Sequence, residues 1–201
     1  MKKMTLLIIL IAMASLPVTI MAELLVYEGF NYSAGEILAG KSGGIGCSGN
    51  WNTNPHLISA DSLDMPNILF SPKGGSVYST GSNTANRNFP GIDMSQDGTY
   101  YVSFLIKRTG WTEATSGEWS DIHLRTSSWG KIASWGVSSS EEFSTMQLGD
   151  SYYAPGADTT EVMFMVGKLV ANSASPDEIY LKVYKQGDSI STVEPAAWTI
   201  V

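Results

Sequence analysis

The chain has 201 residues, 43% of them hydrophobic, with 12 basic against 19 acidic side chains and a formal net charge of −7. A balance this acidic, without clustered Lys and Arg, excludes nucleic acid and anionic membrane surfaces as partners, because phosphate binding needs concentrated cations. The single cysteine, Cys47, cannot close an internal disulfide, so a folded domain here must be held by its core alone.

Residues 1–22 have the layout of a secretory signal peptide. Lys2 and Lys3 precede an apolar run, and a small residue, Ala22, stands at the expected cut. The run is about 15 residues, short of the roughly 20 that span a bilayer, and Pro17 interrupts it. Cleavage would leave 201 less 22, or 179 residues, as one domain over 23–201 with 10 basic and 19 acidic side chains, a balance of −9. The expected destination is secreted or in the cell envelope, with membrane contact only through the signal during export.

Beyond the signal the pattern is that of strands. Segment 24–28 is a short candidate, 33–38 allows one helical turn, and 67–70 and 76–79 follow as short strands. Over 99–108, Tyr100, Val102, Phe104 and Ile106 alternate with Tyr101, Ser103, Leu105 and Lys107, a period of two. Segments 120–126, 131–137 and 143–148 are further candidates. In 159–172, Val162, Phe164 and Val166 oppose Met163, Met165 and Gly167; in 177–186, Ile179, Leu181 and Val183 are expected inward. Gly, Pro, Asn and Asp clusters separate these runs, and no amphipathic helix or fixed-period repeat interrupts them. Many short strands without interleaved helices predict an all-β fold, an antiparallel sandwich or barrel.

The stretch 27–51, YEGFNYSAGEILAGKSGGIGCSGNW, is dense in glycine but is no phosphate loop: Gly-Lys-Ser/Thr is not in register and no helix pattern follows. Its glycines are expected to supply positive φ or close backbone crossings. Glu28, Gly29, Phe30, Asn31, Tyr32, Gly35, Leu38, Gly40, Gly43, Gly44, Gly46, Ser48, Gly49 and Trp51 together resemble the N-terminal signature of LamG-like, concanavalin A-like jelly-roll domains of exported bacterial proteins, including PEP-CTERM-type and planctomycete-type secreted proteins. Segments 99–110 and 177–198 resemble that family's later strands, so the likeness runs from about residue 24 to the C-terminus. It implies an antiparallel two-sheet β-sandwich and is poorly specific for activity. Two departures stand out: Cys47 occupies a position where the pattern carries Trp, and the pattern's last strand is missing after Trp198, which predicts one unpaired sheet edge.

For catalysis the residues are sparse. Glucanases on the same jelly roll carry Glu-x-Asp-x-Glu to aim paired carboxylates into one cleft. Here Asp121 and His123 share a strand face, Glu118 points the other way, and the adjacent Glu141 and Glu142 face opposite sides. Only His56 and His123 are available to a zinc site, far apart in sequence, and no Gly-x-Ser-x-Gly elbow occurs. Cys47 is expected as a buried structural thiol. No cofactor is implied, save calcium, for which the loops offer Asp97 and Asp158.

Four tryptophans gather mid-chain. Trp111 and Trp129 lie in polar, loop-like surroundings and are the candidate sugar-stacking residues, whereas Trp119, Trp135 and Trp198 are expected in the core. The sequence thus reads as an exported non-catalytic module binding extracellular polysaccharide or a cell-surface protein. The competing expectations are a polysaccharide hydrolase or lyase on the same fold, and an envelope or adhesion component with no small ligand.

Overall fold

The computed structural model describes residues 23–53, 56–66, 68, 74–79, 84–108, 119–157 and 160–201. The expected signal peptide and most of segment 67–70 lie outside them. Eleven strands follow in order: β1 (Ser48–Thr53), β2 (Leu57–Ser59), β3 (Ser76–Tyr78), β4 (Ala85–Asn88), β5 (Gly98–Ile106), β6 (Ser120–Arg125), β7 (Lys131–Val137), β8 (Phe143–Gln147), β9 (Asp150–Ala154), β10 (Met163–Ala171) and β11 (Glu178–Tyr184). All pair antiparallel, and no helix is found among the described residues.

Two larger sheets carry the architecture, one ordered β11-β10-β5 and the other β6-β7-β8-β9. They pack face to face over one core. Ala133, Trp135, Val137 and Phe143 of the four-stranded sheet meet Met163, Met165, Leu169, Ile179, Leu181 and Val183 of the three-stranded one. This all-β, two-layer antiparallel arrangement is compatible with a β-sandwich. Trp135, 1% exposed, is its keystone. Its ring lies flat on Gly167 of β10, where an added Cβ would sit 2.6 Å from the indole, and its Nε1 donates to the Tyr180 carbonyl at 2.9 Å. The indole therefore bonds both layers at once.

The alternation expected in β5, β10 and β11 is present. Val102, Phe104 and Ile106 face the central core, and Leu105 faces away from it. The three-stranded sheet is covered on its second face too, where Met65, Val162, Phe164 and Tyr184 form a smaller cluster with Leu63, Ile68 and Ile190. That is why β10 reads as an almost continuous apolar run. The same face carries Lys168, whose Nζ donates to Glu194 at 2.6 Å and sits 5.0 Å from the Tyr180 ring.

Segment 24–28 forms no strand; only Tyr27 bridges, to Ile45, and Leu24, Leu25 and Val26 are exposed. Segment 33–38 makes a turn closed by Glu36 N–H donating to the Ser33 carbonyl at 3.3 Å, not a helix. Near the C-terminus, Thr199 and Ile200 N–H groups donate to the Leu181 carbonyl, and Ile200 joins the core. The edge of β11 is thus partly covered at the point where an unpaired edge was expected.

Candidate functional site

Two features compete for the role of functional site, and their chemistry separates them. The first is the glycine-rich arm. Glu28 accepts four hydrogen bonds: Oε1 from Phe30 N–H at 2.9 Å, and Oε2 from Tyr32 Oη at 2.9 Å, Trp51 Nε1 at 3.1 Å and Arg87 Nη1 at 3.0 Å. Arg87 also donates to the carbonyls of Gly43 at 2.8 Å and Gly49 at 3.0 Å. The pair is buried, with side chains 11% and 5% exposed for Glu28 and Arg87. Phe30 packs on Trp51 with ring centroids 5.8 Å apart, and its φ of 50° is a left-handed conformation held by the Glu28 bond.

Signature residues Phe30, Tyr32, Gly43, Gly49 and Trp51 therefore converge on one ion pair, and Gly35 is tied to the Ile58 carbonyl at 2.8 Å. Gly44 and Gly46 are crossings: an added Cβ would stand 2.2 Å from the Tyr27 carbonyl oxygen and 1.7 Å from that of Leu25. With Glu28 and Arg87 engaged by each other and by donors and carbonyls of the arm, the role of the knot is to hold the arm. Cys47 lies half-buried beside it; burial pushes its thiol up, Arg87 pulls it down, and Glu28 pushes it up again.

The second feature is the outer face of the four-stranded sheet. Leu124 faces the core, so Trp119, Asp121, His123 and Arg125 project to the other side of β6. Cross-sheet partners of this row are small: Asp121 stands opposite Gly136, which pairs with Ser144, which pairs with Tyr153. Three strand spacings, about 14 Å at about 4.8 Å each, separate β6 from β9. Yet the Trp119 and Tyr153 rings approach to 6.3 Å between centroids, because the intervening Gly136 and Ser144 lack bulk. Trp119 is 41% exposed, which corrects the expectation of a core residue; of the three tryptophans so expected, only Trp135 is in the core, and Trp198 instead packs 5.3 Å from Tyr180.

At the far end of β6 the chain turns through 126–130. Trp129 N–H donates to the Thr126 carbonyl at 3.0 Å, Thr126 N–H to the Gly130 carbonyl at 2.9 Å, and Gly130 N–H to Thr126 Oγ1 at 3.0 Å. Trp129 has φ 69° at the turn position where a left-handed residue is required and Gly is usual. A bulky residue there costs roughly 1–2 kcal/mol. It is 55% exposed, and the Arg125 guanidinium lies 5.8 Å from its ring centroid. Trp119 and Arg125 are six positions apart, about 20 Å of strand at about 3.3 Å per residue. The face thus has an aromatic pair at one end, a cation-backed indole at the other, and polar groups between.

Those polar groups do not form a nucleophile and base. Ser134 faces His123 and Asp121 lies on the same side, the composition of a catalytic triad. However, His123 Nε2 is 2.5 Å from Asp121 Oδ2, and Nδ1 is 3.2 Å from Arg125 Nη2. His123 is thus held between Asp121 and Arg125, and no hydrogen bond joins it to Ser134 among the described residues. Asp121 Oδ2, although that close, is not aligned for a hydrogen bond and is buried. Within strands β6 to β9 it is the one carboxylate at an outer-face position, and Glu142, bonded through its carbonyl to Ser138 N–H at 2.8 Å, continues the row of Ser144 and Met146 one position before β8.

Of the residues singled out in sequence, Trp111, Glu118 and Asp158 lie outside the described residues. Asp97 Oδ1 accepts from Ser173 N–H at 2.7 Å and Oγ at 2.8 Å, bonds that hold its carboxyl below the usual range while tying two loops together. Among the described residues no three His, Cys, Asp or Glu side chains converge as a metal site. Comparison with protein-family models, with curated proteins and with solved structures finds no match in any of the three.

Proposed function

We propose that the chain is an exported LamG-like, concanavalin A-like jelly-roll module that binds extracellular polysaccharide without catalysis, across the outer face of the four-stranded sheet. The observation that carries this reading is Trp129, a large aromatic displayed in a strained turn position that a glycine would fill at lower cost. Trp119 and Tyr153 supply a second exposed aromatic platform on the same face, at a spacing suited to an extended chain molecule rather than a compact one. Flat aromatic faces stack on the apolar faces of sugar rings, and Arg125 and His123 offer hydrogen bonding between them. The imidazole of His123, held between Asp121 and Arg125, supports binding rather than turnover.

The test is affinity electrophoresis and calorimetry of the purified protein against a panel of neutral and acidic polysaccharides, with reducing-end release measured in parallel. Binding to at least one polymer, weakened tenfold or more by Trp119→Ala or Trp129→Ala, is expected at about 1–3 kcal/mol per lost stacking partner. Release of reducing ends would make the protein a hydrolase, and binding to no polymer would favour a structural envelope role.

A further inference from the structure

Resting on that reading, we infer that the site takes an acidic polysaccharide, with the anionic group of one sugar seated between Arg125 and Lys131 beside Trp129. These two residues are cross-strand partners at the β6-β7 hairpin, beside a bulge where the register skips Ile132. Like charges placed opposite one another destabilise a sheet. Here they are retained on a chain whose acids outnumber its bases 19 to 12, with no carboxylate in ion-pair range of either among the described residues.

The guanidinium is also held in place for an incoming ligand. Arg125 Nη2 faces His123 Nδ1 at 3.2 Å and Nη1 donates to the Trp129 carbonyl at 3.3 Å, while its central carbon lies 5.8 Å from the indole centroid. Two of its five N–H donors are thus engaged, leaving three, and all of its charge, uncompensated. A planar guanidinium fixed on two sides presents a fork that matches a carboxylate or sulfate oxygen pair, with little side-chain entropy left to lose. Lys131, exposed and without an ion pair or side-chain hydrogen bond among the described residues, adds a second, mobile cation. A neutral sugar would stack equally well on Trp129 but would leave both charges unanswered. The acidic class is therefore what distinguishes this pair from an ordinary aromatic platform.

The experiment compares the purified protein on sodium alginate, whose anions are carboxylates, on a sulfated galactan, on the same galactan after desulfation, and on neutral laminarin. At least one acidic polymer should bind tenfold or more tighter than either neutral one, and the preferred polymer identifies the anion. Its affinity should fall as salt is raised. Arg125→Gln should weaken it roughly 10- to 100-fold, the loss of a charge-assisted hydrogen bond. Lys131→Gln, at an exposed position, should weaken it several-fold with unchanged circular dichroism. Equal affinity for acidic and neutral polymers, or indifference to both substitutions, would overturn the inference and leave the polysaccharide reading standing. Binding to none of the four would overturn both.

Discussion

Replacing Glu28 by Ala removes the acceptor on which the N-terminal arm is organised. The carboxylate receives four donors, and its partner Arg87 is only 5% exposed, so the substitution leaves a buried guanidinium with two carbonyl acceptors and no counter-charge. Breaking a buried pair from one side costs about 3–5 kcal/mol, a large share of the 5–15 kcal/mol that holds a domain folded. For a domain near 180 residues each kcal/mol moves the midpoint about 2–4 °C, so the melting temperature should fall by about 6–20 °C. Urea unfolding followed by tryptophan fluorescence gives the free energy directly, and Arg87→Met alone and combined with Glu28→Ala completes the cycle. The double variant should recover part of the loss, since it removes the stranded charge. A cost below about 1 kcal/mol for Glu28→Ala would mean the pair behaves as a solvent-screened surface bridge, and the account of the arm would fail.

Gly46→Val places a branched side chain 1.7 Å from the Leu25 carbonyl oxygen at a φ of 73°, and is expected to yield insoluble or molten protein, judged by near-ultraviolet circular dichroism; a native spectrum would contradict the crossing. Gly167→Ala drives a methyl into the Trp135 ring and should cost about 1–3 kcal/mol by overpacking, with a shifted tryptophan emission as the second readout. The Glu194 carboxyl is held below its ordinary 4.5 by the hydrogen bond from Lys168 and by that from Tyr101, so its contribution is present above that value and is lost as pH falls further. Burial, and then Glu194, push Tyr101 up to about 12, so its contribution holds below pH 10 and disappears as pH rises toward 12. Glu194→Gln should flatten the thermal midpoint against pH at both ends; an unchanged profile would show that the C-terminal segment is held by other means.

The parts of the fold legible in the sequence are those whose side chains alternate between core and outside. Strand β7 coincides with the expected 131–137, β5, β6, β8 and β11 lie within two residues of their expected bounds, and β10 starts four residues later than expected. β1, β4 and β9 were invisible because SGNWNT, ANRN and DSYYA bury little and follow no period of two, and β2 because three residues are too short to show one. Their pairing is set by the arm and by neighbouring strands. The glycine signature was legible as architecture, but its organiser Arg87 was not, since an isolated Arg in a polar run carries no local signal. The outer face of the four-stranded sheet shows the same division. Trp129 is exposed as its polar surroundings suggest, and Asp121 and His123 do share a face. Trp119 was misassigned because its apolar bulk reads as core, whereas a gap of Gly136 and Ser144 lets it lie outward against Tyr153. The Arg125 and Lys131 pairing depends on hairpin register, which no spacing in the sequence declares.

The central claim is that the outer face of the four-stranded sheet binds polysaccharide through a tryptophan held in strain. The measurement that tests it is the affinity and unfolding free energy of Trp129→Asn, since Asn tolerates the left-handed conformation that Trp resists. The account predicts stability within about 1 kcal/mol of the wild type, together with at least tenfold weaker binding to the polymer that the native protein prefers. Unchanged affinity in a folded variant, or a loss of stability large enough to explain the loss of binding, would contradict it.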